Sequence, residues 1–263
     1  MKKPNPQAQL LDFKSFLEGH IPFTFIRFSD GEIEVLRNRY LELGDGMTIF
    51  RGQVSKNRFK NYDFKKFDPL HHQEVRSDLI SSALFRGDNF YKGIPTRHNN
   101  ALIDREFLVR LNGGFDNNLT FSDLFMNSNY DLFKTKIIPL FSLYKEIFVI
   151  ANYRTRLVGP LKNATLVEIG DNFFSSYNET LHSVMSILIK APSGSLILSS
   201  ASSLSNIVGY KLYQINSKLT FLDVGTTLNE FLSLDNKTRE YHGHKNLFKN
   251  FLYKNSKRYT IKW

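Results

Sequence analysis

The chain has 263 residues, 41% hydrophobic and 23% charged, the profile of an ordinary globular protein rather than a disordered one. It holds no cysteine, which excludes disulfides and thiolate metal sites and fits a reducing compartment. The net charge is +10, but residues 237–263 contain eight Lys or Arg against Glu240 alone, so that segment carries +7 (eight minus one) and the rest is nearly balanced, which argues against a uniformly basic nucleic-acid-binding surface.

The N-terminal Met1-Lys2-Lys3-Pro4-Asn5-Pro6 is basic but lacks the apolar run of a signal peptide. No apolar stretch reaches the ~18–20 residues of a spanning helix. The protein is therefore expected to be soluble and cytoplasmic. Leu10, Leu11, Phe13, Phe16 and Leu17 fall at helical spacing over residues 7–19. Pro22 breaks that pattern, and Phe23 to Phe28 reads as a strand. Ser29-Asp30-Gly31 is turn chemistry. Ile33, Val35, Leu36 and Tyr40 then predict a helix capped near Ser29 or Asp30.

Residues 44–72 read as polar, basic and irregular. Helical spacing returns over 73–87 and 101–111, with a short strand at Asn89 to Pro95 between them and a loop at 112–118. The second half is more regular. Apolar strands at Glu146 to Ala151, Ala164 to Ile169, Ser195 to Ser199 and Leu219 to Val224 are accompanied by helices over 176–190 and 203–215. Strands that are apolar on both faces and alternate with helices predict an α/β fold, Rossmann-like, with a mostly parallel sheet and helices on both faces. The Gly-rich dinucleotide fingerprint is missing, which leaves a nicotinamide or flavin reading without support.

Four strand ends carry candidate chemistry. Asp30 and Glu32 flank Gly31 on the turn after the first strand. Such a pair can share one hard cation, Mg²⁺ or Mn²⁺, and Gly31 would admit a ligand closely. Equally, two acids at a helix N-terminus are favoured by its dipole. Arg27 is placed to bind a phosphate or to hold a carboxylate. Ser199, Ser200 and Ser202 lie at a strand-to-helix junction that would either bind an anion or simply cap the helix. Asp223 and Gly225 follow the last strand, where Asp223 could bind a sugar hydroxyl or act as a cap. Glu168 and Asp171 are candidate general bases, with Asp171 better placed because it lies in the loop. His71-His72 and His242-Gly243-His244 are the histidine clusters, and neither has a third ligand nearby in sequence. No Gly-x-Ser-x-Gly elbow, His-Glu-x-x-His run or Walker A loop is present.

The chain divides by composition into residues 1–236, read as a single α/β catalytic domain, and residues 237–263, a basic, aromatic tail. In the tail Lys245, Lys249 and Lys254 border a stripe of Leu247, Phe248, Phe251 and Leu252. This amphipathic helix would pack on the domain, lie on an anionic membrane surface or contact nucleic acid.

Ile26-Arg27-Phe28-Ser29-Asp30-Gly31-Glu32 resembles the Arg-Phe-Gly-Asp-Gly-Glu signature of GT-D-type glycosyltransferases. The likeness continues in order through Asn89 to Pro95, through Ile147 to Leu157 with Arg154, and through Leu196 to Gly225. Ser29 stands where that family has glycine, Ser199 to Ser203 replace a Gly-Pro-Thr-like turn, and Thr226 stands where many members have histidine. The resemblance implies a GT-D-like fold and a metal-dependent transferase. Such an enzyme moves a sugar from a nucleotide-diphosphate sugar to a hydroxyl of a glycan, glycolipid or glycoprotein. It further implies Asp30 and Glu32 as metal ligands, and a nucleotide-sugar site formed by Arg27, Ser29, Gly31, Arg154, Ser199, Ser200, Ser202, Asp223 and Gly225. Asp171 or Glu168 would be the base. The tail would suit an acceptor at the inner membrane face. The competing readings are a metal-dependent phosphohydrolase using the same carboxylates and a nucleic-acid-binding module led by the tail.

Overall fold

The computed structural model describes residues 5–44, 47–56, 64–96, 100–234 and 239–263. Residues 1–4 and the compositional boundary at 236/237 lie outside the described residues. The first helix, α1 (Pro6–Glu18), starts where Asn5 accepts from the Gln7 and Ala8 amides and Pro6 fixes the first turn. Strand β1 (Thr24–Arg27) follows, then α2 (Asp30–Leu36). Residues 41–67 contain β2 (Leu41–Leu43), β3 (Met47–Phe50), β4 (Gln53–Lys56) and β5 (Lys65–Phe67). These pair antiparallel in the order β4-β3-β2-β5. Among the described residues, the region expected to be irregular over 44–72 thus supplies three strands of a small second sheet. Its strands are only three or four residues long, and few of their side chains are buried, so their apolar alternation is too brief to register.

The chain continues through α3 (Gln73–Leu84), β6 (Phe90–Ile94), α4 (Ala101–Leu111) and β7 (Leu119–Phe121). Next come a run of short helical turns around α5 (Tyr130–Leu132), then β8 (Ile147–Asn152) and β9 (Thr165–Ile169). It closes with α6 (Tyr177–Leu188), β10 (Leu196–Ser199), α7 (Ser203–Ile215), β11 (Thr220–Asp223) and α8 (Leu247–Lys254). Strand β7 and the turns after it do not stand out in the sequence. The three buried residues of β7 follow directly on the Gly- and Asn-rich loop and are too few to show a period.

The main sheet has seven strands in the order β7-β6-β1-β11-β10-β8-β9, and every pair in it is parallel. The protein is an α/β structure with a covered parallel sheet. Its two faces carry separate cores. Ile26, Ile150, Ile197 and Phe221 pack on one side against α2, α3, α6 and α7. Phe25, Val149, Leu198 and Leu222 pack on the other against α1 and the turns of 127–143. Burying one such side chain contributes roughly 1.5–3 kcal/mol. Helix α7 lies closest to the sheet at Gly209, where an added Cβ would come within 2.8 Å of both Ile26 and Phe221. That contact sets α7 directly over β1 and β11, whose ends carry most of the site.

Among the described residues no helix is long and apolar enough to cross a membrane. Residues 239–263 pack on this body. Tyr241 and Ile261 are buried, and Trp263 packs against Phe121 with tilted rings, centroids 4.8 Å apart.

Candidate active site

All seven parallel strands point their C-terminal ends to one rim, the place where open α/β sheets bind ligands. A cleft of about 770 Å³ lies along that rim. One wall is the small sheet, which contributes Leu41, Thr48, Phe50, Val54 and Lys65. The Lys66 amide donates to Asn172 Oδ1 at 3.0 Å and ties this wall to the loop after β9.

Arg27, the last residue of β1, is buried at the floor. Its Nη2 donates to Asp223 Oδ1 at 3.1 Å, and its Nη1 donates to the Ser122 carbonyl at 3.2 Å. Gly225 makes room for it. A Cβ there would lie 2.0 Å from Arg27 Nη2, and the residue has φ +49°. Burial works against the Arg27 charge, but Asp223 and Glu32 outweigh it and raise the pKa. Asp223 also accepts from the Gly225 amide at 3.1 Å. Burial pushes its carboxyl up to about 6; Arg27 pulls it back, and the nearby Glu32 charge adds to the rise.

Ser29 caps α2, and Glu32 Oε2 reaches back to accept from the Ser29 amide at 3.0 Å. Glu32 Oε1 accepts from the hydroxyls of Ser202 and Ser203 at 3.1 and 3.3 Å. Both readings of the acidic turn therefore apply to Glu32: it caps the helix, and it faces the cleft. Asp30 and Gly31 line the cleft beside it. Gly31 has no steric need within the protein, since a Cβ would meet nothing nearer than Leu41 at 3.8 Å.

The Ser-rich turn divides. Ser200 and Ser202 line the cleft, and Ser202 holds φ +52°, a strained conformation for a residue with a side chain. Ser199 is fully buried and pairs with Ser205 at 2.8 Å, so it does not reach the cleft. Alternation along β10 turns its hydroxyl toward α7. Glu168 stands apart in the same way. It is exposed on the edge strand β9, between the buried Val167 and Ile169, and it does not line the cleft.

Asp171 does line the cleft, but it is engaged. Arg154 grips both of its oxygens, and Asn152 Nδ2 donates to Oδ1 at 2.8 Å. The hydrogen bond from Arg154 holds the Asp171 carboxyl below its usual range, and the Asn152 bond adds to this against partial burial. A depressed pKa makes a weak proton acceptor. Arg154 also stacks over Tyr153, 4.6 Å from the ring centroid.

Several lining residues carry no signal strong enough to be singled out in the sequence. Asp123, just after β7, is buried and accepts from the Thr96 hydroxyl and from Asn127 Nδ2 at 2.9 Å. A clue does exist: Phe121-Ser122-Asp123 repeats the Phe28-Ser29-Asp30 found two strands away on the same rim. Tyr241 and Arg239 close the cleft from the C-terminal segment, and the Tyr241 hydroxyl pairs with Thr226 at 2.5 Å. His242 turns away, packing against Tyr130 with ring centroids 5.1 Å apart. The His72 Nδ1 accepts from the Asp68 amide at 2.8 Å. Among the described residues no group of three or more His, Asp or Glu side chains is gathered as a ready cation cage.

Three solved structures share this architecture. A selenomethionine-substituted structure of domain of unknown function 1792 superposes with TM-score 0.53 at 13% identity, over 97% of this chain and 90% of that one. A second structure of that domain, described as having a distinct glycosyltransferase fold, gives TM-score 0.51 at 13% identity over the same shares. This chain shares that fold. The third, a glycosyltransferase of the same domain type from Streptococcus sanguinis, gives 0.53 at 14% identity over 84% of this chain and 80% of that one. No family profile and no curated protein matches the sequence.

Proposed function

We propose that this protein is a metal-dependent glycosyltransferase of the GT-D type, which moves a sugar from a nucleotide-diphosphate sugar to an acceptor hydroxyl. One observation carries the reading. In a glycosyltransferase fold, Asp30 and Glu32 line one cleft at the strand rim with the Arg27–Asp223 pair, and Glu32 bonds the Ser202–Ser203 turn there.

The donor set suits a divalent cation. Asp30 and Glu32 line the cleft together, and Mg²⁺ or Mn²⁺ commonly takes one or two carboxylates with phosphate and water completing its shell. Asp30 and Glu32 would hold it, Glu32 by releasing the Ser202 and Ser203 hydroxyls. When bound, the cation would neutralise charge on the donor diphosphate. The protein's own groups supply the rest. Ser200 and Ser202, which line the cleft, would meet the phosphates. Arg154 does not itself line the cleft, but it is held on the lining residue Asp171 and would add positive charge beside it.

Asp171 is better suited to holding Arg154 than to taking a proton. Asp123 is the stronger candidate base. It lines the cleft, its partners are a hydroxyl and an amide rather than an arginine, and it stands across the floor from Ser200 on the far side of β1. The phosphohydrolase alternative uses the same carboxylates and differs in outcome, because it releases phosphate or nucleoside monophosphate without an acceptor. A thermal-shift screen of nucleotide-sugars with and without Mn²⁺ tests the proposal. A ligand that binds only the folded state raises the melting temperature, so one donor class should stabilise the protein in the presence of metal. No stabilisation by any nucleotide-sugar under either condition would reject it.

A further inference from the structure

Helix α8 buries none of its residues. Leu247, Phe248, Phe251 and Leu252 are 84%, 68%, 64% and 52% exposed, so among the described residues the stripe is left largely uncovered. At 3.6 residues per turn these four fall within roughly 140° of arc. Tyr253 on the opposite face and Lys254 at the edge of the stripe hold the helix to the body. The Tyr253 hydroxyl donates to Asn127 Oδ1 at 2.9 Å, and Lys254 pairs with Asp131 at 2.5 Å. The N-terminus is closed by Asn246, which accepts from the Phe248 and Lys249 amides at 3.0 and 3.2 Å. The apolar stripe therefore points straight outward from a firmly capped and anchored helix.

A contiguous apolar stripe facing water calls for a partner, and its surroundings say which. Lys245, Lys249, Lys257 and Arg258 are all exposed around it, in a segment that carries +7 of the chain's +10 charge (eight cations less Glu240). Leu and Phe set in a border of Lys form the pattern of a helix lying in the interface of an anionic bilayer, with side chains in the acyl boundary and ammonium groups at the headgroups. Nucleic acid matches the charge but gives leucines nothing to bind. A second copy of the chain matches the leucines but would bring two +7 segments together.

We infer that α8 docks the protein on an anionic lipid surface through Leu247, Phe248, Phe251 and Leu252, with the flanking lysines engaging the headgroups. The link from Tyr253 to Asn127, a lining residue of the cleft, sets the docked helix one side chain away from the site. Resting on the transferase reading, this geometry favours an acceptor carried on a lipid.

The docking itself is tested without donor or acceptor. The full chain is floated with vesicles of phosphatidylcholine alone or mixed with phosphatidylglycerol. The protein should float with the mixed vesicles and much less with the neutral ones, and salt should weaken the binding. Phe248→Ser with Phe251→Ser should reduce flotation at least tenfold, and Lys245→Gln or Lys249→Gln about fivefold each. All of these residues are exposed, so melting temperatures should not change. Equal flotation of wild type and the double Phe variant would overturn the inference. So would no flotation at all, concentration-dependent dimerisation that the Phe variant abolishes, or retention on RNA in place of vesicles. Failure of the transferase reading would appear instead in the thermal-shift screen, leaving the vesicle result untouched.

Discussion

Two arginine–aspartate pairs stand on the same rim of the same sheet, and water separates their behaviour. Arg27 and Asp223 join the ends of β1 and β11, with side chains only 10% and 5% exposed. Arg154 and Asp171 join the loops after β8 and β9 and are 38% and 29% exposed. The residue types are the same, yet the carboxyls shift in opposite directions. Asp223 rises to about 6 because burial outweighs its partner, whereas Asp171 falls because its arginine outweighs a lighter burial. The first pair is part of the floor of the site and holds it in one arrangement. The second is an arm at the edge, screened by water and carrying little of the stability.

The sharpest way to break this contrast is to remove the buried arginine. Arg27→Met takes away the charge that pulls the Asp223 carboxyl down, so near neutral pH Asp223 must stay ionised without its cation or take up a proton, and breaking the buried pair should cost about 3–5 kcal/mol. Chemical denaturation should show it, and a loss below 1 kcal/mol would mean that water reaches Asp223 after all. A second buried charge, away from the cleft, checks the burial argument on its own. Lys92 on β6 donates to the Ala83 and Phe85 carbonyls at 2.7 and 2.6 Å, and burial lowers its pKa to about 8. Between that value and its ordinary pKa near 10.5 the unfolded chain holds a proton that the folded one has lost. Stability should therefore rise with pH across this window, by on the order of 3 kcal/mol from this group, and the gain should be lost as pH falls through 8. In Lys92→Met the rise should vanish. If the variant keeps the same pH profile, Lys92 is not its source.

Gly225→Ala probes the floor by crowding rather than deletion. The new Cβ meets Arg27 in a left-handed backbone, and a loss of about 2 kcal/mol is expected, together with weaker donor binding. The smallest effect belongs to the exposed pair. Arg154→Ala should leave the unfolding midpoint where it is but weaken donor binding. A marked loss of stability would show that the arm belongs to the floor.

The larger features of the fold are legible in the sequence for a simple reason. Helix α7 and strands β8 to β11 are buried on enough positions for their periods to show, so their bounds are nearly those of the apolar runs. The small sheet escapes because a wall facing a solvent-filled cleft needs no apolar alternation. At the site, Arg27, Asp30, Glu32, Ser202, Asp223 and Gly225 are legible because each follows directly on a readable strand. Asp123 is hidden because its strand has three residues, and Tyr241 and Arg239 because they reach the cleft from the far end of the chain. Glu168 and Ser199 show the converse error. Both lie on the right strands, but the side-chain alternation of a strand turns them away from the rim, and a register of one residue decides the matter.

The central claim is that Asp30 and Glu32 present a metal-assisted diphosphate site at this rim. Calorimetric titration of a nucleoside diphosphate into the protein, with Mn²⁺ and with a chelator, tests it most directly when repeated on Asp30→Asn. The account predicts binding that requires the metal in the wild type and is lost in the variant, with both proteins unfolding at similar temperatures. Metal-independent binding of equal strength in the two proteins would contradict it.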